Sequence, residues 1–134
     1  MAQETVIIAT LGLDQHENGA IAVSRILREA QMRVTYLGRF NTPATVARAA
    51  ADGAADVIGV SCHSWEYLSL VPDLIRRLRE AGVTTPVVIG GSVITAADAQ
   101  AMREAGVAAV ASGALADDEI VDIIRGAAHS RAPS

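Results

Sequence analysis

TVIIATLGLDQHENGAIAVSRILREA, residues 5–30, is the stretch that decides the fold. Its first six residues are almost all apolar and rich in β-branched side chains. Such a run is too short for a helix and predicts a strand buried on both faces. Residues 11–19 then turn polar between Gly12 and Gly19. At nine residues this connection exceeds the ~2–6 residues usual between a strand and a helix. From residue 20 to 30 the spacing becomes helical, and Ile21, Ile26 and Leu27 are expected on one apolar stripe. A buried strand, a long polar loop and an amphipathic helix make one βα unit.

The same rhythm continues along the chain. VTYLG at 34–38 reads as a second strand. Thr42 followed by Pro43 suits a helix start, with the hydroxyl as cap and proline in the first turn. That helix should run to about Gly53. VIGVS at 57–61 is a third strand. A helix over roughly 70–81 carries Leu70, Leu74, Ile75 and Leu78 on one face and stops at Gly82. PVVIG at 86–90 is a fourth strand. A helix over 96–105 lies between Thr95 as cap and Gly106 as stop. A short fifth strand follows at 107–111. The last helix spans about 117–127, where Asp117, Asp118 and Glu119 favour its positive N-terminal end.

Near-continuous apolar strands alternating with helices imply a parallel sheet covered on both faces. The expected fold is α/β, a flavodoxin-like doubly wound five-stranded sheet in the order 2-1-3-4-5. Residues 1–128 should form a single domain, and 129–134 a frayed tail.

Composition narrows the function. The 134 residues are 51% hydrophobic, 19% charged and 3% aromatic, so aliphatic side chains must build the core and global disorder is excluded. A formal charge of −4, with eleven basic residues that are all arginine, argues against tracking a nucleic-acid backbone. No apolar run reaches the ~18 residues of a membrane helix, and no signal-peptide pattern opens the chain. Neither nucleic acid nor membrane is expected as a partner, and the cytoplasm is the expected location. Cys62, the single cysteine, has no partner for an intrachain disulfide and reads as buried filler.

In sheets of this order ligands bind beyond the strands' carboxyl ends, at the switch point between strands one and three. Three segments fall there. The first is Asp14-Gln15-His16-Glu17-Asn18-Gly19. A metal-binding histidine commonly donates its other ring N–H to a carboxylate, and Asp14 is a candidate for that role toward His16. The second is Ser61-Cys62-His63-Ser64-Trp65, and the third is Gly90-Gly91-Ser92. Paired glycines at a strand end make sense where another group packs directly on the backbone. Taken singly, each has a plain reading: a loop histidine, a strand-end serine bonded to local backbone, a tight turn.

Together these segments resemble the cobalamin-binding domain of adenosylcobalamin-dependent acyl-CoA mutases of the methylmalonyl-CoA mutase type. That family carries D-x-H-x-x-G after strand one, S-x-L after strand three and GG after strand four. The likeness extends over roughly residues 5–124, including Asn41-Thr42-Pro43 and Leu70-Val71-Pro72. It implies that His16 binds cobalt as lower axial ligand and that Asp14 hydrogen-bonds its far nitrogen. It also implies that Ser61 bonds the displaced nucleotide base, while Gly12, Gly19, His63, Gly90 and Gly91 contribute to the cofactor site. The implied cofactor is adenosylcobalamin or another cobalamin form. The implied role is that of a small subunit, inactive alone, working with a separate (β/α)8 chain that binds an acyl-CoA. A standalone sensor or carrier of cobalamin is the alternative. Two departures stand out: His63 replaces the family's leucine, and Thr10 stands where these mutases often carry lysine.

Overall fold

The structure is a computed structural model and describes residues 3–12, 18–111 and 115–130. Among them, β1 (Thr5–Thr10), β2 (Arg33–Tyr36), β3 (Val57–Ser61), β4 (Val87–Gly90) and β5 (Ala109–Ala111) form one parallel sheet in the order β2-β1-β3-β4-β5. Helices α1 (Asn18–Glu29), α2 (Pro43–Gly53), α3 (Tyr67–Glu80), α4 (Ala96–Ala105) and α5 (Asp117–His129) connect and cover the strands. The flavodoxin-like order expected from the sequence is the one observed.

The period of two along each strand divides the core. Val6, Ile8, Val57 and Val88 pack beneath α1 and α5 with Ala20, Leu27, Ile124 and Ala127. Ile7, Ala9, Ile58, Val60, Val87 and Ile89 pack beneath α2, α3 and α4 with Val46, Leu74 and Met102. The helix starts follow local chemistry. Thr42 Oγ1 accepts from Thr45 N at 3.1 Å, with Pro43 opening α2. Thr95 Oγ1 accepts from Asp98 N at 3.1 Å at the head of α4.

Several boundaries move from their expected places. β2 ends at Tyr36 rather than residue 38, because Gly38 and Phe40 both have left-handed backbone (φ 80° and 63°) and turn the chain. β5 begins at Ala109 rather than residue 107, because Val107 N–H is bound to Met102 O at the end of α4. α3 starts at Tyr67, three residues early. That ring is buried and its hydroxyl bonds Asp98 Oδ2 at 3.2 Å, joining α3 to α4. Burial, followed by the neighbouring Asp98 charge, pushes the Tyr67 phenol up to about 12. On α1 the buried stripe runs through Ala20, Ser24 and Leu27, and Ile21 is 48% exposed. The Ser24 hydroxyl is satisfied by Ala20 O at 2.8 Å.

The last helix also runs through His129, two residues past its expected end. Its C-terminal end is tied to Glu4, the residue before β1, and to Ala30. Arg125 Nε donates to Glu4 Oε2 at 2.8 Å, His129 Nε2 lies 3.1 Å from the same oxygen, and Arg125 Nη2 donates to Ala30 O at 3.0 Å. A backbone hydrogen bond at Glu4, aided by His129 and Arg125, outweighs burial and holds the Glu4 carboxyl below its ordinary value. A lowered carboxylate pKa contributes stability above the unfolded-state value, and that stability disappears as pH falls through the folded-state value. Glu4→Gln should therefore cost about 1 kcal/mol at neutral pH. In urea denaturation followed by circular dichroism, its deficit against the wild type should close below the ordinary carboxylate pKa of 4.5. An equal deficit at both pH values would show that the charge is not responsible.

Candidate cofactor site

A cavity of about 460 Å³ lies between the sheet and helices α1 and α5 and reaches the carboxyl rim of the sheet. Such a volume is in the range of small-molecule sites, roughly 300–1,000 Å³. Its inner walls are aliphatic: Ile8, Val23, Val88, Ile120, Ile123 and Ile124. The polar side chains that line it, Ser61, His63 and Ser92, stand at or just beyond the ends of β3 and β4. The shape and chemistry suit a flat apolar ring pushed inward with polar substituents left at the mouth.

Four of the glycines expected at the site play different parts. Gly19 lines the cavity at the start of α1. A Cβ there would lie 3.2 Å from His63 Nε2 and 3.8 Å from Ser61 Oγ, so its missing side chain keeps the mouth open. Gly90 and Gly91 also line the cavity. Gly91, however, is glycine because of the protein itself. Its φ is +153°, and a Cβ would fall 1.7 Å from the carbonyl oxygen of Cys62. Gly12 is not among the lining residues. Its φ is +66°, and a Cβ would meet Glu66 Oε2 at 2.6 Å and Leu70 Cδ1 at 2.7 Å, so it lets the end of β1 press against α3. His16 and Asp14 lie outside the described residues, in the segment that joins Gly12 to Asn18.

Ser61, His63 and Gly19 are thus brought together at one mouth, with Gly90 and Gly91 beside them. Cys62 is buried, and its thiol points back to Val60 O at 3.6 Å. Thr10 is wholly buried and donates through Oγ1 to Gly38 O at 3.1 Å. The position where these mutases often carry lysine is therefore spent here on holding the β2–α2 connection. Ser92 belongs to the Gly90-Gly91-Ser92 segment noted in the sequence but has no role assigned there, and Gly59 is not singled out. Gly59 lines the cavity from mid-strand, and a Cβ there would lie 2.7 Å from Ile8 Cδ1. A glycine inside an apolar strand is a recognised sign of close approach and could have drawn notice.

In doubly wound sheets of this order ligands bind at the switch point, which is where this apolar cavity opens. The B12 binding domain family matches residues 4–126, and the chain belongs to that family as a cobalamin-binding domain. It is similar to the 2-hydroxyisobutanoyl-CoA mutase small subunit of Aquincola tertiaricarbonis, at 37% identity across 94% of this chain and 93% of that one. It is 34% identical to the pivalyl-CoA mutase small subunit of Xanthobacter autotrophicus, covering 89% of this chain and 80% of the other. An ethylmalonyl-CoA mutase of Cereibacter sphaeroides is 38% identical over 78% of this chain, which spans only 16% of that longer protein. Among solved structures, a cobalamin-binding protein from Desulfitobacterium hafniense superposes with a TM-score of 0.76 at 20% identity, covering 92% of this chain and 58% of that one. A Francisella response regulator receiver domain superposes with a TM-score of 0.73 at 16% identity, covering 96% and 98%. At such identities these two likenesses establish the fold alone.

The two kinds of glycine respond differently to substitution. Gly91→Ala forces a backbone clash and should cost about 3 kcal/mol. Gly19→Ala meets only side-chain atoms, sits in a helix that favours alanine, and should stay within about 1 kcal/mol of the wild type. Guanidinium denaturation without added cofactor checks both; comparable losses would mean that Gly91 is not held by packing.

Proposed function

We propose that this chain is the cobalamin-binding small subunit of an acyl-CoA carbon-skeleton mutase. The observation that carries this reading is the slot itself. It is apolar within, polar at the mouth, and bordered by Gly19, which follows His16 by three residues in the sequence. The near full-length likeness to two proteins named as mutase small subunits supports it.

In this reading the cobalamin nucleotide tail enters the slot. Its base lies against Ile8, Val88 and Ile124, where burial of an aromatic ring is favourable. Ser61 donates to the base, and His63 lines the mouth beside it. His16 would be the residue that holds cobalt. Asp14 accepts the second ring N–H of His16, fixing its tautomer and raising its basicity toward the metal. Adenosylcobalamin supplies homolysis of its cobalt–carbon bond when bound; the protein supplies position and electronics. A radical reaction also needs exclusion of water over the substrate. One wall of that enclosure is this domain's rim, and the rest, with the acyl-CoA pocket, belongs to a separate (β/α)8 chain.

The purified chain mixed with hydroxocobalamin and passed through a desalting column should keep its colour, with the spectrum of cobalt bound by histidine instead of the benzimidazole base. His16→Ala should lose that spectrum, and His63→Leu should keep it. A colourless wild-type protein would end the proposal. With adenosylcobalamin, the isolated chain should turn over no acyl-CoA, and a pull-down in the presence of cofactor should recover a barrel chain. Turnover by the isolated chain would refute the subunit role and leave cofactor binding standing.

A further inference from the structure

We infer that His63 hydrogen-bonds the phosphodiester of the cobalamin tail, so that this domain discriminates between corrinoids with and without that group. The inference rests on the reading that the tail fills the slot. Among the described residues that line the cavity there is no Asp, Glu, Lys or Arg, and His63 is the one side chain able to carry charge. Ser61 and Ser92 add neutral hydroxyls. A leucine at position 63, as in the family pattern, would offer apolar contact alone.

The depth of the cavity decides which part of the tail meets that side chain. Gly59 lines the cavity from mid-strand, Ser61 ends β3, and His63 stands two residues beyond. At about 3.3 Å per strand residue, Ser61 lies roughly 7 Å above Gly59. Ile8, Val88 and Ile124 wall that interval, which suits a bicyclic aromatic base entering by its edge. A base seated there brings its sugar and phosphate out past Ser61, at the level of His63.

His63 is placed so that the tail must pass it. Its Nε2 lies 3.2 Å from the point where a Cβ on Gly19 would stand, and Ser61 Oγ lies 3.8 Å from the same point. The half-buried imidazole therefore reaches from the loop after β3 to the first turn of α1 and borders one side of the mouth. An imidazole N–H donates whether the ring is neutral or protonated. A phosphodiester is anionic, and hydrogen bonds to ionised groups are stronger than those between neutral ones. No carboxylate among the described lining residues opposes it.

The test uses the whole chain, with dissociation constants from equilibrium dialysis read at the corrin absorbance for hydroxocobalamin, cobinamide phosphate and cobinamide. Cobinamide lacks phosphate, sugar and base; cobinamide phosphate regains the phosphate alone. His63→Leu should weaken binding of hydroxocobalamin and of cobinamide phosphate about tenfold, and leave cobinamide within about twofold of the wild type. His63→Gln, which keeps an N–H donor, should fall between His63→Leu and the wild type for the two phosphate-bearing ligands. Equal weakening of all three ligands in His63→Leu would assign the ring to the shape of the mouth and overturn the inference. A loss confined to hydroxocobalamin would put the contact on the sugar or base and also overturn it, as would unchanged binding throughout. A wild-type chain that retains none of the three would remove the cobalamin reading first. A wild type that holds cobinamide as tightly as hydroxocobalamin would take the tail out of the slot, a result distinct from failure at His63.

Discussion

The placement of β1 between β2 and β3 is the constraint on which the rest depends. A strand paired on both sides sends its own helix to one face of the sheet, while the crossover from β2 to β3 passes over the other. α1 therefore leaves β1 toward the α5 side, and α2 leaves β2 toward the α3 side. Neither helix covers the carboxyl end of β1. A gap at that rim is a product of topology, and the sequence has then fitted it with small residues and a polar mouth. The same constraint explains why chemistry-bearing residues far apart in sequence converge: Gly19, Ser61, His63 and Gly90 stand at or beyond the ends of three different strands yet line one opening.

How that gap is kept open differs from residue to residue. Gly19 keeps its opening by lacking a side chain beside His63 and Ser61. Gly91 does not act in that way, since the Cys62 carbonyl already occupies the space its Cβ would need. The close packing of the β4 end on the β3 end brings Gly90 and Ser61 into register, and Cys62 N–H bonds Gly90 O at 2.7 Å. A paired-glycine motif thus serves folding through one member while both border the cavity. Reading such a pair purely as ligand clearance would misplace the energetic role of the second glycine.

Much of this was legible in the sequence because parallel strands buried on two faces leave a strong signal: TVIIAT, VIGVS and PVVIG admit few other assignments. The helix starts at Thr42 and Thr95 were legible because a hydroxyl cap acts locally. What escaped depends on contacts between distant segments. Ile21 has the right spacing for the core, but the buried stripe is set by where α1 meets the sheet, and the small Ala20 and Ser24 win that face. Tyr67 begins α3 early because Asp98, thirty-one residues away, receives its hydroxyl. Gly12 reads from the sequence as the start of a loop, and its contacts with Glu66, at the head of α3, and Leu70, within it, could not be read there. At the site, the paired glycines and Ser61 were readable as motifs, whereas the aliphatic walls from α5 could not be tied to them until the helix was placed.

Thr10 and Asn41 show how a departure from a family pattern can be absorbed. A lysine at position 10 would have to carry its charge out of a position that is wholly buried here. Threonine instead donates to Gly38 O, and Asn41 adds bonds from its amide to Gly38 O and Thr10 O. The end of β1 and the loop before α2 thereby become one hydrogen-bonded unit. Charge near the β1 end is exchanged for rigidity there. The rigid unit also explains how a left-handed phenylalanine can be tolerated between Arg39 and Asn41: the strain is borne by a network fixed on both sides, and the aromatic ring is presented at the rim instead of turning into the core.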